Sequence, residues 1–274
     1  MSDNLMNIKQ DLTYLSWSKI RHSSGTAGSF LKATSQLGGK KLYYKLSNFD
    51  QTRGVIGHEC VNELIVDRLL NVLGIEHLHY QLIHADVMIN EKLYTVHLNA
   101  SEDFKQQGES KIALDAYYQV EHKDGESPFD FCIRNGWEEY LYQMFVVDYL
   151  ILNRDRHGAN IEVLRNSRKK TLRLAPLFDH GLSLLFNCDS EKSVCNFDVM
   201  DDKRTNTFIG SRSTWENLKL IPKGQEPKLN VLKEVDRENI MEGLDGIIPQ
   251  YLQDKIWDMI WKRWCAYEDF CHTR

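Results

Sequence analysis

Residues 144–152 read Met-Phe-Val-Val-Asp-Tyr-Leu-Ile-Leu, with Asp148 as the only charge. They end a strongly apolar stretch that starts at Trp137, so residues 137–152 are predicted to form a long helix central to a core. The character of the chain then reverses. Asn153-Arg154-Asp155-Arg156-His157-Gly158-Ala159-Asn160 is polar and turn-forming. Two short strands are predicted after it, 161–164 and Thr171–Leu174, joined by a turn that carries Arg165, Arg168, Lys169, Lys170 and Arg173. That basic cluster reads as a solvated connection between strands. Any fold for this chain must bury the helix and present the polar loop at its end.

The flanking patterns divide the chain in two. Strands are predicted at 12–20, 42–46, 79–84 and 93–98, all rich in apolar, aromatic or β-branched residues. One helix lies among them, Glu59–Leu73. In it Val61, Leu64, Ile65, Leu69, Val72 and Leu73 repeat at intervals of three and four, and Gly74 supplies a stop. Residues 101–127 are polar and weakly patterned, and the boundary is placed there. Helices at 235–244 and 251–270 close the chain. The expected plan is α+β, with a small strand-rich unit over residues 1–100 and a larger helical unit over 101–274.

Composition narrows the function classes. The 274 residues are 42% hydrophobic and 27% charged, which excludes a disordered or fibrous chain. No apolar run approaches the ~18 residues of a membrane-spanning helix. The polar start shows no signal peptide, so the expected compartment is the cytoplasm, with export by another route left open. A net charge of −5 argues against a protein that coats nucleic acid or an anionic membrane. The cysteines, Cys60, Cys132, Cys188, Cys195, Cys265 and Cys271, form no C-x-x-C pair and read as free buried thiols.

The polar loop carries the chemistry. Asp155 and Asn160 have the spacing of the catalytic Asp and metal-binding Asn in a protein-kinase catalytic loop. Phosphoryl transfer needs an acceptor for the substrate hydroxyl's proton and a neutral oxygen ligand for Mg²⁺, and one tight loop can supply both. The same spacing recurs at Asp130/Asn135, Asp148/Asn153 and Asp201/Asn206. Only Asp155/Asn160 is followed by a hairpin that ends in a further carboxylate, in Phe178-Asp179-His180-Gly181. There Asp179 suits a second metal ligand, and Gly181 permits the turn beyond it.

The first half offers matching parts for ATP. Ser23-Ser24-Gly25-Thr26-Ala27-Gly28-Ser29 is a small-residue loop whose backbone N–H groups can approach phosphate, although it is no Walker A motif. Lys45, in a predicted strand, is placed to hold the α and β phosphates. Glu59 and Glu63 lie one turn apart on a helix face, and either could pair with Lys45.

Together these residues resemble the HipA-type serine/threonine kinases, and more closely the stand-alone HipA-like domains, including the cell-translocating kinase type. The resemblance spans roughly residues 20–186. It implies a two-lobed protein-kinase-like fold and transfer of the γ-phosphoryl group of ATP to a protein serine or threonine. It further implies Asp155 as the catalytic residue, Asn160 and Asp179 as Mg²⁺ ligands, Lys45 as the phosphate-holding lysine and Glu63 as its partner. Ser23, Ser24, Gly25, Thr26 and Gly28 would contact the phosphates, and a hinge at Val96 and Leu98 would meet adenine. Ser23, Ser24, Thr26 and Ser29 become candidates for autophosphorylation.

The chain also departs from that family. Full-length HipA proteins carry a further subdomain before the small-residue loop, where only residues 1–22 stand here. A DNA-binding antitoxin is therefore not an expected partner; a protein substrate is, and a regulatory protein is possible. Asn153 stands where protein kinases proper have His, and no A-P-E signature follows Asp179. The competing readings are a phosphatidylinositol 4-kinase-like lipid kinase, an antibiotic-type phosphotransferase and a catalytically silent pseudokinase. The acidic balance weighs against the first, the missing His-Gly-Asp against the second and the filled catalytic positions against the third.

Overall fold

The structure, a computed structural model, describes residues 3–20 and 27–274. A six-stranded sheet forms the first part, in the order Gln10–Asp11, Gln81–Ile89, Lys92–Glu102, Lys40–Lys45, Ala27–Leu37, Ser18–Ile20. The first pair is parallel and the others antiparallel. Alternation along the strands gives the sheet two unlike faces. Leu31, Ala33, Tyr44, Leu46, Ile83, Ala85, Val87, Val96, Leu98 and Ala100 bury one face against Leu12 and Leu15. The other carries Lys32, Thr34, Lys41, Tyr43, Lys45, Asn99 and Ser101 along the wall of a cleft.

Two expectations for this sheet need correction. The strand expected over 12–20 is broken by a turn, because Leu12 and Leu15 fold back to cap the sheet's apolar face. The long strand Ala27–Leu37 was not foreseen. Its outer face is Lys32, Thr34 and Gln36, and this polarity masks the alternating apolar signal of Leu31 and Ala33.

The helix Glu59–Leu73 ends as its sequence dictates. Gly74 takes the left-handed φ of 74°, and the N–H groups of Gly74 and Ile75 bond back to Asn71 and Leu70. Its apolar residues do not join the sheet's core. Val61, Leu64, Ile65, Val66, Leu69, Leu70 and Leu73 belong to a larger core that also holds Leu82 and the apolar residues of the helices Glu138–Leu150 and Gln250–Thr273. The helix lies against the strands Gln81–Ile89 and Lys92–Glu102 and the helix Asp236–Met241. The buried helix expected at 137–152 is thus present as Glu138–Leu150, and it is central.

Residues 101–127 hold more structure than their polarity suggests. Ser110–Ala113 is the outer strand of a three-stranded sheet with Glu162–Asn166 and Thr171–Leu174, and the helix Leu114–Glu121 follows it directly. The basic turn joins the latter two strands and is exposed at Arg168, Lys169 and Lys170, as a solvated connection should be. Among the cysteines Cys60, Cys132 and Cys188 are buried, whereas Cys195 is exposed. No helix among the described residues is long and apolar enough to cross a membrane.

Candidate active site

The polar loop is held by the one charge inside the apolar helix. Asp148 accepts from Arg156 Nη2 at 2.8 Å, from Arg156 Nε at 3.0 Å and from Asn153 Nδ2 at 2.8 Å. Arg156 is 1% exposed, and its Nη1 also donates to the carbonyls of Phe178 at 2.9 Å and Asn160 at 3.3 Å. Burial opposes its charge, but Asp148 outweighs burial and raises its pKa. One guanidinium therefore fixes both the Asp155–Asn160 loop and the segment just before Asp179. Sequence reasoning missed Arg156. Its signal was Asp148 itself, since a lone charge in an apolar helix requires a buried partner.

Asp155 lies at the rim of this loop. Its Oδ1 accepts from Asn206 Nδ2 at 3.0 Å, and Asn206 arrives through a short parallel pairing of Asp155–Arg156 with Asn206–Thr207. Asn206 belongs to one of the three rival Asp/Asn spacings, and its role here is to orient Asp155. Asn160 donates its Nδ2 to the Asp155 carbonyl at 2.8 Å. That bond fixes the amide and leaves Asn160 Oδ1 buried without a hydrogen-bond partner among the described residues. An unsatisfied buried carbonyl oxygen is costly unless a donor or cation completes it, and hard cations take such ligands.

Asp179 approaches from the other side. It is held at a φ of 58°, in the left-handed region that few residues other than glycine adopt. Lys45 Nζ lies 2.5 Å from Asp179 Oδ1 and 3.1 Å from Glu63 Oε1, and 4.8 Å from the centre of the Phe30 ring. Burial disfavours the lysine's charge, yet Asp179 and Glu63 together hold its pKa well above the ordinary value. Burial pushes the Glu63 carboxyl upward against the pull of Lys45. The second oxygen of Glu63 accepts from the backbone N–H of His180 at 2.8 Å.

The choice between the two helix acids is thereby settled in geometry. Glu63 meets Lys45, while Glu59 accepts from the backbone of Asn48 at 3.1 Å. Asn62, on the same helix, donates to the carbonyls of Gly181 at 3.1 Å and Ser183 at 3.0 Å. Gly181 fits because a Cβ there would stand 3.2 Å from Glu59 Cβ and 3.3 Å from its carbonyl oxygen.

Lys45, Asn160 and Asp179 line a cleft of about 470 Å³ between the sheet and the helical part, with Tyr80, Asn99 and Phe178. Val96 and Leu98 do not reach it. Val96, Leu98 and Ala100 face the sheet's own core, so the strand turns Asn99 and Ser101 to the cleft instead. The segment that leaves this strand, Asp103 to Lys105, continues the lining. Ser23, Ser24, Gly25 and Thr26 lie outside the described residues, and Gly28 stands at the start of the strand Ala27–Leu37.

No protein-family model matches the chain. Among curated proteins it is similar to the serine/threonine-protein kinase CtkA of Helicobacter pylori, 28% identical over 127 residues. That match covers 44% of this chain and 36% of the relative, so the chain spans about a third of that protein's length. The crystal structure of the Helicobacter pylori proinflammatory kinase CtkA superposes with a TM-score of 0.60 at 16% identity, over 97% of both chains. The fold is therefore that of the CtkA structure, α+β with a strand-rich part and a helical part. A HipA, HipB and operator DNA complex from Shewanella oneidensis gives a TM-score of 0.40 at 14% identity, over 90% of this chain and 57% of that one. A likeness that loose carries no weight here.

Proposed function

We propose that the protein is an ATP- and Mg²⁺-dependent kinase that phosphorylates serine or threonine on a protein substrate. The observation that carries this is Lys45 bridging Glu63 and Asp179 in the cleft that Asn160 lines with its unpartnered Oδ1. The similarity to a named serine/threonine kinase supports the same class of chemistry.

In this reading Lys45 supplies positive charge to the phosphates of ATP, and Glu63 keeps it aimed into the cleft. Asp179 and Asn160 Oδ1 would hold the Mg²⁺ ion, whose chemistry is to neutralise charge on the transferring phosphoryl group. Asp155, oriented by Asn206, accepts the proton of the acceptor hydroxyl. The adenine would lie along the wall made by Asn99, Ser101 and residues 103–105, in place of the expected Val96 and Leu98. Ser23, Ser24, Gly25, Thr26 and Gly28 remain the proposed phosphate loop, and its hydroxyls the proposed autophosphorylation sites.

The test is incubation with γ-labelled ATP and Mg²⁺ beside Asp155→Ala and Asp179→Ala variants shown to fold. Labelling of the protein itself or of a protein mixture, lost in both variants by at least about 100-fold, is expected. Mass spectrometry of residues 21–32 then reports whether the loop is a target. Wild-type protein that binds ATP but labels nothing would point to a pseudokinase. Labelling confined to phosphoinositide vesicles would point to a lipid kinase.

A further inference from the structure

Tyr80, which borders the cleft, also borders a second polar cluster that phosphoryl transfer does not use. Its backbone N–H donates to Asp67 Oδ1 at 3.1 Å. The same oxygen lies 3.2 Å from His77 Nε2 and 3.1 Å from His79 Nδ1. These three side-chain atoms all lie within 4.8 Å of one another.

The tautomer of His77 makes the cluster informative. Its Nδ1 is 2.7 Å from the Ile75 carbonyl, which can only accept, so the ring proton sits on Nδ1. Nε2 then faces a carboxylate oxygen across 3.2 Å. Two acceptors at 3.2 Å repel unless a cation or a second proton stands between them. The side chains of His77 and Asp67 are 2% and 10% exposed, so bulk water does little to relieve the conflict.

We propose that Asp67 Oδ1, His77 Nε2 and His79 Nδ1 are the protein ligands of a zinc ion. The spacing suits that ion. Bonds of about 2.0–2.1 Å in a tetrahedron set neighbouring ligand atoms about 3.3 Å apart, close to the two separations from Asp67, and the two histidine nitrogens, within 4.8 Å of each other, would close on the ion. Two imidazoles and one carboxylate suit Zn²⁺, whereas Mg²⁺ and Ca²⁺ favour oxygen throughout.

The surroundings have the outer partners a metal site needs. The Ile75 carbonyl orients His77, and Asn71 Nδ2 donates to Asp67 Oδ2 at 3.2 Å. The His79 side chain is 72% exposed, which leaves the fourth position open to water. The ion would pin three segments. Asp67 belongs to the helix Glu59–Leu73, His77 bridges to Leu177 two residues before Asp179, and His79 leads into the strand Gln81–Ile89.

The full chain, freed of metal by chelator and kept without nucleotide or Mg²⁺, should be titrated calorimetrically with Zn²⁺ alone. One ion per chain and a rise in melting temperature are expected, with a tetrahedral Co²⁺ spectrum when Co²⁺ replaces it. His79→Ala, a change at an exposed side chain, and Asp67→Asn should each weaken binding at least about tenfold. Asp179→Ala should retain it, which separates this site from the kinase centre and makes the two readings fail independently. Absence of stoichiometric binding overturns the proposal, as does equal affinity in wild type, His79→Ala and Asp67→Asn. So does an NMR spectrum showing both His77 nitrogens protonated in excess Zn²⁺.

Discussion

Arg156 places five N–H donors where water cannot reach them, so its worth lies in how completely they are met. Asp148 accepts from Nε and Nη2, and the Asn160 and Phe178 carbonyls accept from Nη1. Removing one member of a buried pair strands the other, at about 3–5 kcal/mol. Arg156→Met should therefore cost that much in urea unfolding; a loss under about 1 kcal/mol would mean the pair is not buried in solution. Adding Asp148→Leu should recover much of the stability. It should not recover phosphoryl transfer, because the two carbonyls that frame Asn160 and Asp179 still lack their donor. His58 makes a different prediction. Burial lowers its pKa from 6.5 to about 4, against a hydrogen bond that the ring donates to the Leu185 backbone. The folded state thus resists protonating it, and its contribution to stability is intact above pH 6.5 and lost as the pH falls toward 4. The loss amounts to at most about 3 kcal/mol. His58→Gln should flatten the fall in denaturation midpoint between pH 7 and 4.5, and an unchanged slope would refute this. The buried His180, whose pKa is likewise lowered, acts in the same direction, so the difference between the two proteins is the quantity to read.

Elements whose pattern answers to a single environment were legible in the sequence. The helices Glu59–Leu73 and Glu138–Leu150 and the hairpin after Asn160 stand where their periodicity placed them. The strands Ala27–Leu37 and Ser110–Ala113 were not legible, because each shows polar residues to a cleft or to solvent and neither has a long apolar alternation. At the site, Lys45, Asn160 and Asp179 were singled out from order and spacing and Glu63 by resemblance, and the structure brings Lys45, Glu63 and Asp179 together beside Asn160 in one cleft. Val96 and Leu98 were misplaced because spacing locates a strand but not which face a given residue takes. Asn206 and Asn62 were invisible for another reason: each acts on a loop distant in sequence. Gly158 shows the same long-range demand in a testable form. A Cβ on it would stand 2.4 Å from Asp115 Cβ, at the start of the helix Leu114–Glu121. That atom is fixed close to the backbone, so the elements must separate. Gly158→Ala should cost about 1–3 kcal/mol by denaturation and should lower turnover more than ATP affinity, since the turn it displaces carries Asp155 and Asn160. Wild-type stability in this variant would show that the loop and helix are not packed as described.

At the scale of the whole molecule, the boundary between its two cores does not follow the chain. The helix Glu59–Leu73 lies in sequence among the strands, yet its apolar face belongs to the large helical core. Asn62 ties it to the carbonyls of Gly181 and Ser183, and Arg68 Nη1 ties it to the Ile240 carbonyl at 3.1 Å. The helix also touches the strands Gln81–Ile89 and Lys92–Glu102, and the backbone N–H of Cys60 donates to Ser47 Oγ at 2.9 Å, so Glu63 stands on an element tied to both parts, between Lys45 and Asp179. Whether the helix keeps Glu63 with Asp179 or with Lys45 when the cleft opens is what hydrogen exchange reads. In protein kinases the pairing of this lysine and glutamate is itself a point of control through movement of the helix; here Asn62 and Arg68 tie the helix to the helical part. Local opening follows the boundaries of packed units, so hydrogen exchange should group the amides of Glu59–Leu73 with those of Glu138–Leu150, and the strands Lys40–Lys45 and Ala27–Leu37 should exchange sooner. Lys45→Met removes the charge that joins the two bodies. It should speed exchange in the sheet and leave protection in the helix unchanged. If the helix instead exchanges with the sheet, the small part moves as a conventional lobe and the pairing of Lys45 with Glu63 becomes a switch.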